Sequence, residues 1–155
     1  VKKSLSEPTR VAEIVDRCDA VGFDLQPAWG IMTAHQMVQH LVRAMSGPMS
    51  GQVMSPRTWS PLGNRVGRFF ALRSGIRWPR NVPTVPPLDQ RGKPLPDPAT
   101  FAADLAQLRA DLPRFAAFDP DALSREHPIF GRFTREDWMA WGYLHADHHL
   151  RQFGC

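Results

Sequence analysis

Three of the six histidines, His145, His148 and His149, fall within the closing stretch YLHADHHLRQFGC. His145 and His149 stand four positions apart, so on a helix both imidazoles leave the same face and can converge on one divalent ion. Three neutral imidazoles would leave the charge of such an ion undiminished. Water at its fourth position would then be acidified toward neutral pH and could attack as hydroxide, and the same position could instead take a thiol as thiolate. No Glu flanks the pair as in His-Glu-x-x-His enzymes, so a general base would have to come from elsewhere. The weak catalytic candidates are His148, beside the pair, and His127 in HPIFG. Each also has a plainer reading, His148 as a hydrogen-bonding residue at the helix edge and His127 as part of a His-Pro turn.

The last helix is expected from about Arg135 to Phe153, with Thr134 and Asp137 at its start. At 100° per residue, Trp138, Trp141, His145, His149 and Gln152 form one stripe, and Met139, Tyr143, Ala146, Leu150 and Phe153 form the next. Asp147 and Arg151 fall behind, toward water. The two tryptophans would wall the site or fill the core, and Gln152 could orient a ligand or bond another helix. Trp29 and Trp59 find no place in this pattern.

A bound ion normally needs a further ligand, and His35, His40 and His127 remain. The second helix opens at Thr33, whose spacing from Gln36 is that of a capping box, and is expected to run to about Ser46, before Gly47 and Pro48. Within it Met37, Leu41, Ala44 and Met45 surround His40, whereas His35 lies in the first turn, nearer solvent. A His on the inward face of one helix and a pair on another is how helical bundles build metal sites. Core histidines hydrogen-bonded to their neighbours are the competing reading.

A first helix is expected from about Thr9 to Ala20, with Val11, Ile14, Val15 and Cys18 on one face and Gly22 as its stop. Residues 47–97 are rich in Gly and Pro and read as a long crossover with a short helix near Leu62 to Arg73. The third main helix begins at Asp97-Pro98 and buries Phe101, Leu105, Leu108 and Leu112 up to Pro113, with a brief continuation through Phe115 and Phe118. No strand pattern is convincing. The expected fold is therefore all-α, a four-helix bundle with a long Pro-rich crossover between its second and third helices.

The chain has 155 residues, 43% of them hydrophobic, which suits one domain over residues 1–155 with a single core. It contains no apolar run long enough to span a membrane, and VKKSLSEPTR lacks the apolar region of a signal peptide, so a cytoplasmic protein is expected. Two cysteines make no disulfide framework: Cys18 reads as core, and Cys155 as a mobile terminal residue unsuited to ligation. The net charge of +4 raises nucleic-acid binding. However, Arg65, Arg68, Arg73, Arg77 and Arg80 are interleaved with apolar residues as on a solvated helix face, and no nucleic-acid motif accompanies them.

The stretches WGIMTAHQMVQHL, PRNVPT, HPIFG and HADHHLRQFG, in this order across nearly the whole chain, resemble the domain of unknown function 1569, a branch of the DinB/YfiT-like metalloenzyme superfamily. The resemblance implies a DinB-like four-helix bundle holding a divalent ion, often zinc or nickel, through one His of the second helix and a His-x-x-x-His pair of the last. That pattern falls on His40, His145 and His149. Tetrahedral zinc would keep a position for water or substrate. Some superfamily relatives transfer low-molecular-weight thiols or act as thiol-dependent isomerases, but the resemblance assigns this branch no reaction. Two functional classes follow. One is a metal-dependent hydrolase or thiol-dependent transferase acting on a small molecule, with a cavity bordered by the Trp stripe and the Pro-rich segment. The other is a non-catalytic binding or dimerisation module with a structural ion or none. Exposed helix faces would allow a homodimer, although no extra apolar stripe specifies one.

Overall fold

A computed structural model describes residues 3–51, 61–81, 89–90 and 93–155. Trp59 and Val82 to Thr84 of the PRNVPT stretch lie outside them. The described chain is mostly helical: α1 (Pro8–Cys18), α2 (Ala34–Met49), α3 (Pro61–Leu72), a single 3-10 turn (Pro98–Thr100), α4 (Phe101–Ala117) and α5 (Arg135–Gln152). Between α4 and α5, β1 (Glu126–His127) and β2 (Gly131–Arg132) make a minimal antiparallel hairpin, in which Glu126 pairs with Arg132 and His127 with Gly131.

Both helices that carry the candidate ligands begin at reciprocal caps. In α2 the Gln36 N–H donates to Thr33 Oγ1 (3.2 Å) while the Thr33 N–H donates to Gln36 Oε1 (3.0 Å). Thr134 and Asp137 repeat the device at α5, at 3.3 and 3.1 Å. A cap of this kind is worth about 1 kcal/mol and sets where the helix starts, hence which side chains face inward.

A proline expected to end a helix does not. α2 continues through Gly47 and Pro48 to Met49, because a proline this near the end removes only one backbone donor and its ring is buried. The Pro48 carbonyl also accepts from the Ser124 N–H (3.0 Å), tying α2 to the segment after α4. α4 runs past Pro113 to Ala117 and thereby buries Phe115 against Trp138.

α1 packs on α4 and α5, and α2 on the same two helices, enclosing one core of Ile14, Met37, Leu41, Leu108, Leu112 and Leu150 among others. α3, inside the Pro-rich crossover, lies against α5. Arg73 and Arg68 of that segment reach the buried Asp137 at 2.9 and 3.7 Å. Arginines read as a solvated face thus partly serve to dock α3. Among the described residues no helix is long and apolar enough to cross a membrane.

Candidate metal centre

α2 and α5 bring His40, His145 and His149 together. Their ring centroids lie 5.0 Å (His40 to His145), 4.7 Å (His40 to His149) and 5.0 Å (His145 to His149) apart, a nearly equilateral triangle. One nitrogen from each ring falls within 4.8 Å of the others, and Nε2 of His40 is 2.9 Å from Nε2 of His145. Zinc–nitrogen bonds of about 2.0–2.1 Å in a tetrahedral site imply ligand nitrogens roughly 3.3 Å apart, inside the observed range. His40 is 3% exposed, His145 7% and His149 9%.

Burial keeps the His145 and His149 imidazoles neutral. It pushes His145 well below the ordinary histidine range, and the neighbouring histidines His149 and His40 add to the effect. His149 is lowered in the same way, first by burial and then by His40, against a hydrogen bond to the Gln152 amide oxygen. Neutral imidazole is the metal-ligating form. Two oriented features bear on fit to a cation: the Nδ1 of His149 is held by Gln152 Oε1 at 2.8 Å, while the buried Nδ1 of His145 has no hydrogen-bond partner.

The cluster lies at the wall of a cavity of about 630 Å³. Trp29, Phe70, Trp78, Phe130 and Trp141 dominate its apolar lining, and among the described residues Arg77 and Asp89 are the charged ones there. Trp141 packs on His145 (4.6 Å between centroids), and Trp78 lies 6.0 Å from both His145 and His148. The Trp stripe and the Pro-rich segment therefore border the cavity, as the sequence predicts. Trp138 is 2% exposed, and its indole N–H donates to the Ser124 carbonyl (2.6 Å).

His148 also lines this cavity. It is 8% exposed, beneath Trp29 and Trp78, and its Nδ1 has no hydrogen-bond partner. Burial, followed by the nearby Arg151, lowers its pKa. His127 does not join the cluster. Its ring stacks on Phe130 and Phe133, Trp141 touches both it and His145, and its Nδ1 accepts from the Ile129 and Phe130 N–H groups at 3.1 and 3.3 Å. Burial alone pushes it down to about 3.

Three expectations need correction. His35 is not near solvent: it is 2% exposed, because α4 closes over it and Asp104 Oδ2 meets its Nε2 at 2.7 Å. Asp147 does not face water either, since Arg17 of α1 and Arg151 bond its two oxygens at 2.8 and 2.9 Å. Cys155 is tied down rather than mobile: its N–H donates to the Leu150 carbonyl (3.0 Å), and its own carbonyl accepts from Arg17 (2.9 Å). Cys18 is fully buried in the core, as expected.

Trp29, Trp78 and Gly30 are the site residues that sequence periodicity misses. Trp78 sits among prolines, where no helical spacing assigns it a face, and its indole N–H anchors to the Ala71 carbonyl (2.7 Å). Trp29 carries the Arg80 guanidinium 4.7 Å above its ring. Neither contact has a local sequence signature.

The sequence profile of a family described as protein of unknown function (DUF1569) matches residues 9–154, and the chain belongs to that family. No curated protein and no solved structure matched the chain.

Proposed function

We propose that this member of the DUF1569 family is a divalent-metal enzyme whose ion, zinc or nickel, is held by His40, His145 and His149. The observation that carries the reading is the placement of three inward-facing imidazoles at the wall of a cavity of about 630 Å³. A lone core histidine would be satisfied by one neighbour, whereas here three rings converge and the Nε2 atoms of His40 and His145 meet at 2.9 Å. The same arrangement, one His from the second main helix and a His-x-x-x-His pair from the last, supports placing the family in the DinB/YfiT-like superfamily.

A divalent ion at this point would supply Lewis-acid chemistry, making a bound water or thiol acidic enough to react near neutral pH. The chain supplies the surroundings. Trp29, Trp78 and Trp141 form apolar walls that suit a small molecule with an apolar or aromatic body. His148 lies beside the ligands with an unpartnered Nδ1, which makes it the candidate to exchange a proton with substrate in the cavity. His127 lines the same cavity, but its aromatic stack and the two backbone groups on its Nδ1 make it the weaker candidate for that part. Among the described residues no carboxylate or thiol joins the three nitrogens, so a coordination position remains for substrate.

The test is cobalt substitution of the untagged protein. Visible bands of a four-coordinate cobalt ion are expected, with a new thiolate-to-cobalt band when a small thiol is added. Bands indifferent to thiol, azide and other exchangeable ligands would indicate a closed structural centre and favour the non-catalytic module.

A further inference from the structure

We infer that Gln152 is the positioning residue of the centre: it fixes His149 as the Nδ1–H tautomer, so that the Nε2 lone pair is the one presented to a metal. The inference rests on the metal reading above and goes beyond it by naming a residue that does not touch the ion. The argument begins at a backbone carbonyl. Gln152 Nε2 lies 2.6 Å from the Trp29 oxygen, which can only accept, so the amide nitrogen must be the atom on that side. The amide oxygen is thereby turned to His149, with Oε1 2.8 Å from Nδ1. An amide oxygen cannot donate, so Nδ1 must carry the proton, and in neutral imidazole Nε2 is then the bare nitrogen. Hydrogen bonding of a ligand's distal N–H is the general means by which proteins fix its orientation and raise its basicity.

The surrounding chain holds this relay in place. Gln152 is 3% exposed, and its own carbonyl accepts from the Ala28 N–H at 2.7 Å, so the segment before α2 is tied to the end of α5 at two points. Gly30 permits the approach. Its φ is +80°, and a Cβ there would stand 2.7 Å from Gln152 Nε2. His145 has no equivalent partner on its Nδ1, so the relay does not extend to that ligand. Trp29 is also a wall of the cavity, which connects the wall to a metal ligand through one side chain.

Long-range proton–nitrogen correlation spectra of the unmodified protein with ¹⁵N-labelled histidine read the tautomer directly. In the metal-free state the His149 Nδ1 should resonate as a protonated, pyrrole-like nitrogen and Nε2 as a bare, pyridine-like one. The opposite assignment overturns the proposal. Gln152→Met removes both hydrogen bonds at similar volume and should raise the Zn2+ Kd about 10- to 100-fold at unchanged stoichiometry. Gln152→Glu keeps an acceptor for Nδ1 and should recover part of that loss and retain the Nδ1–H signal, which a purely structural glutamine would not explain. Gly30→Ala, which leaves Gln152 in the chain, should weaken Zn2+ as well. Wild-type Zn2+ affinity in Gln152→Met, with binding abolished in His149→Ala, overturns the positioning role alone. A parent protein that binds no Zn2+ overturns both this inference and the metal reading.

Discussion

At the scale of single residues, burial sets the chemistry of the histidines, and pH exposes it. His127 is held neutral in the fold down to about 3, whereas an unfolded histidine takes its proton near 6.5. The unfolded chain therefore binds more protons between these values, so stability is full above about pH 6.5 and declines as pH falls. By linkage His127 alone removes about 2 kcal/mol between pH 6.5 and 5. Urea unfolding of metal-free protein at the two pH values, compared with His127→Gln, should show a slope reduced by about that amount in the variant. Equal slopes would mean that His127 is protonated or exposed in the fold. Asp147 behaves with the same sign but lower on the scale: burial raises it, the bonds from Arg17 and Arg151 outweigh burial, and the net lowering protects the fold until pH drops through the carboxylate range. The sequence makes His40, His145 and His149 legible because helical spacing assigns each a face. It misplaces His35 and Asp147 because the groups that cover them, Asp104 and Arg17, are 69 and 130 positions away.

At the scale of elements, caps and spacing locate the helices, while tertiary packing decides where they stop. Thr33 and Thr134 mark the two starts from local sequence alone. Pro48 misleads because its cost is met by burial of its ring, which no local rule anticipates. α3 has a polar anchor on α5 at Asp137. Asp137 caps α5 through Thr134 and also receives Arg73 and Arg68 from the α3 segment. Asp137→Ala should lower stability by about 1–3 kcal/mol, from the lost cap and the unpaired guanidinium groups. It should also speed amide hydrogen exchange in α3, whose Gly67, Phe70 and Ala71 wall the cavity. Unchanged exchange in α3 would show that its apolar contacts hold it without the anchor.

At the scale of the whole molecule, one shared core carries the geometry of the three-histidine cluster, so packing errors far from the histidines should be felt there. Gly142 on α5 is the sharpest point, where an added Cβ would meet Leu5 Cδ1 at 2.8 Å and Phe115 Cε1 at 3.0 Å. Gly142→Ala should cost about 1–3 kcal/mol in unfolding experiments. Gly22→Ala, whose Cβ would meet only Leu25 Cγ at 3.8 Å, should be close to neutral. Similar effects at the two positions would contradict the packing described. The helical architecture was readable from periodicity, whereas the cavity's closure by Trp29 and Trp78 depends on contacts between loops and helices that no periodicity encodes. The central claim is that His40, His145 and His149 form one metal centre, and elemental emission analysis of protein purified without an affinity tag tests it most directly. One divalent ion per chain is expected in the parent protein and none in His40→Ala, His145→Ala or His149→Ala variants that retain the helical circular dichroism. Metal content unchanged in those variants, or a parent chain that stays metal-free after dialysis against zinc and nickel, would contradict it.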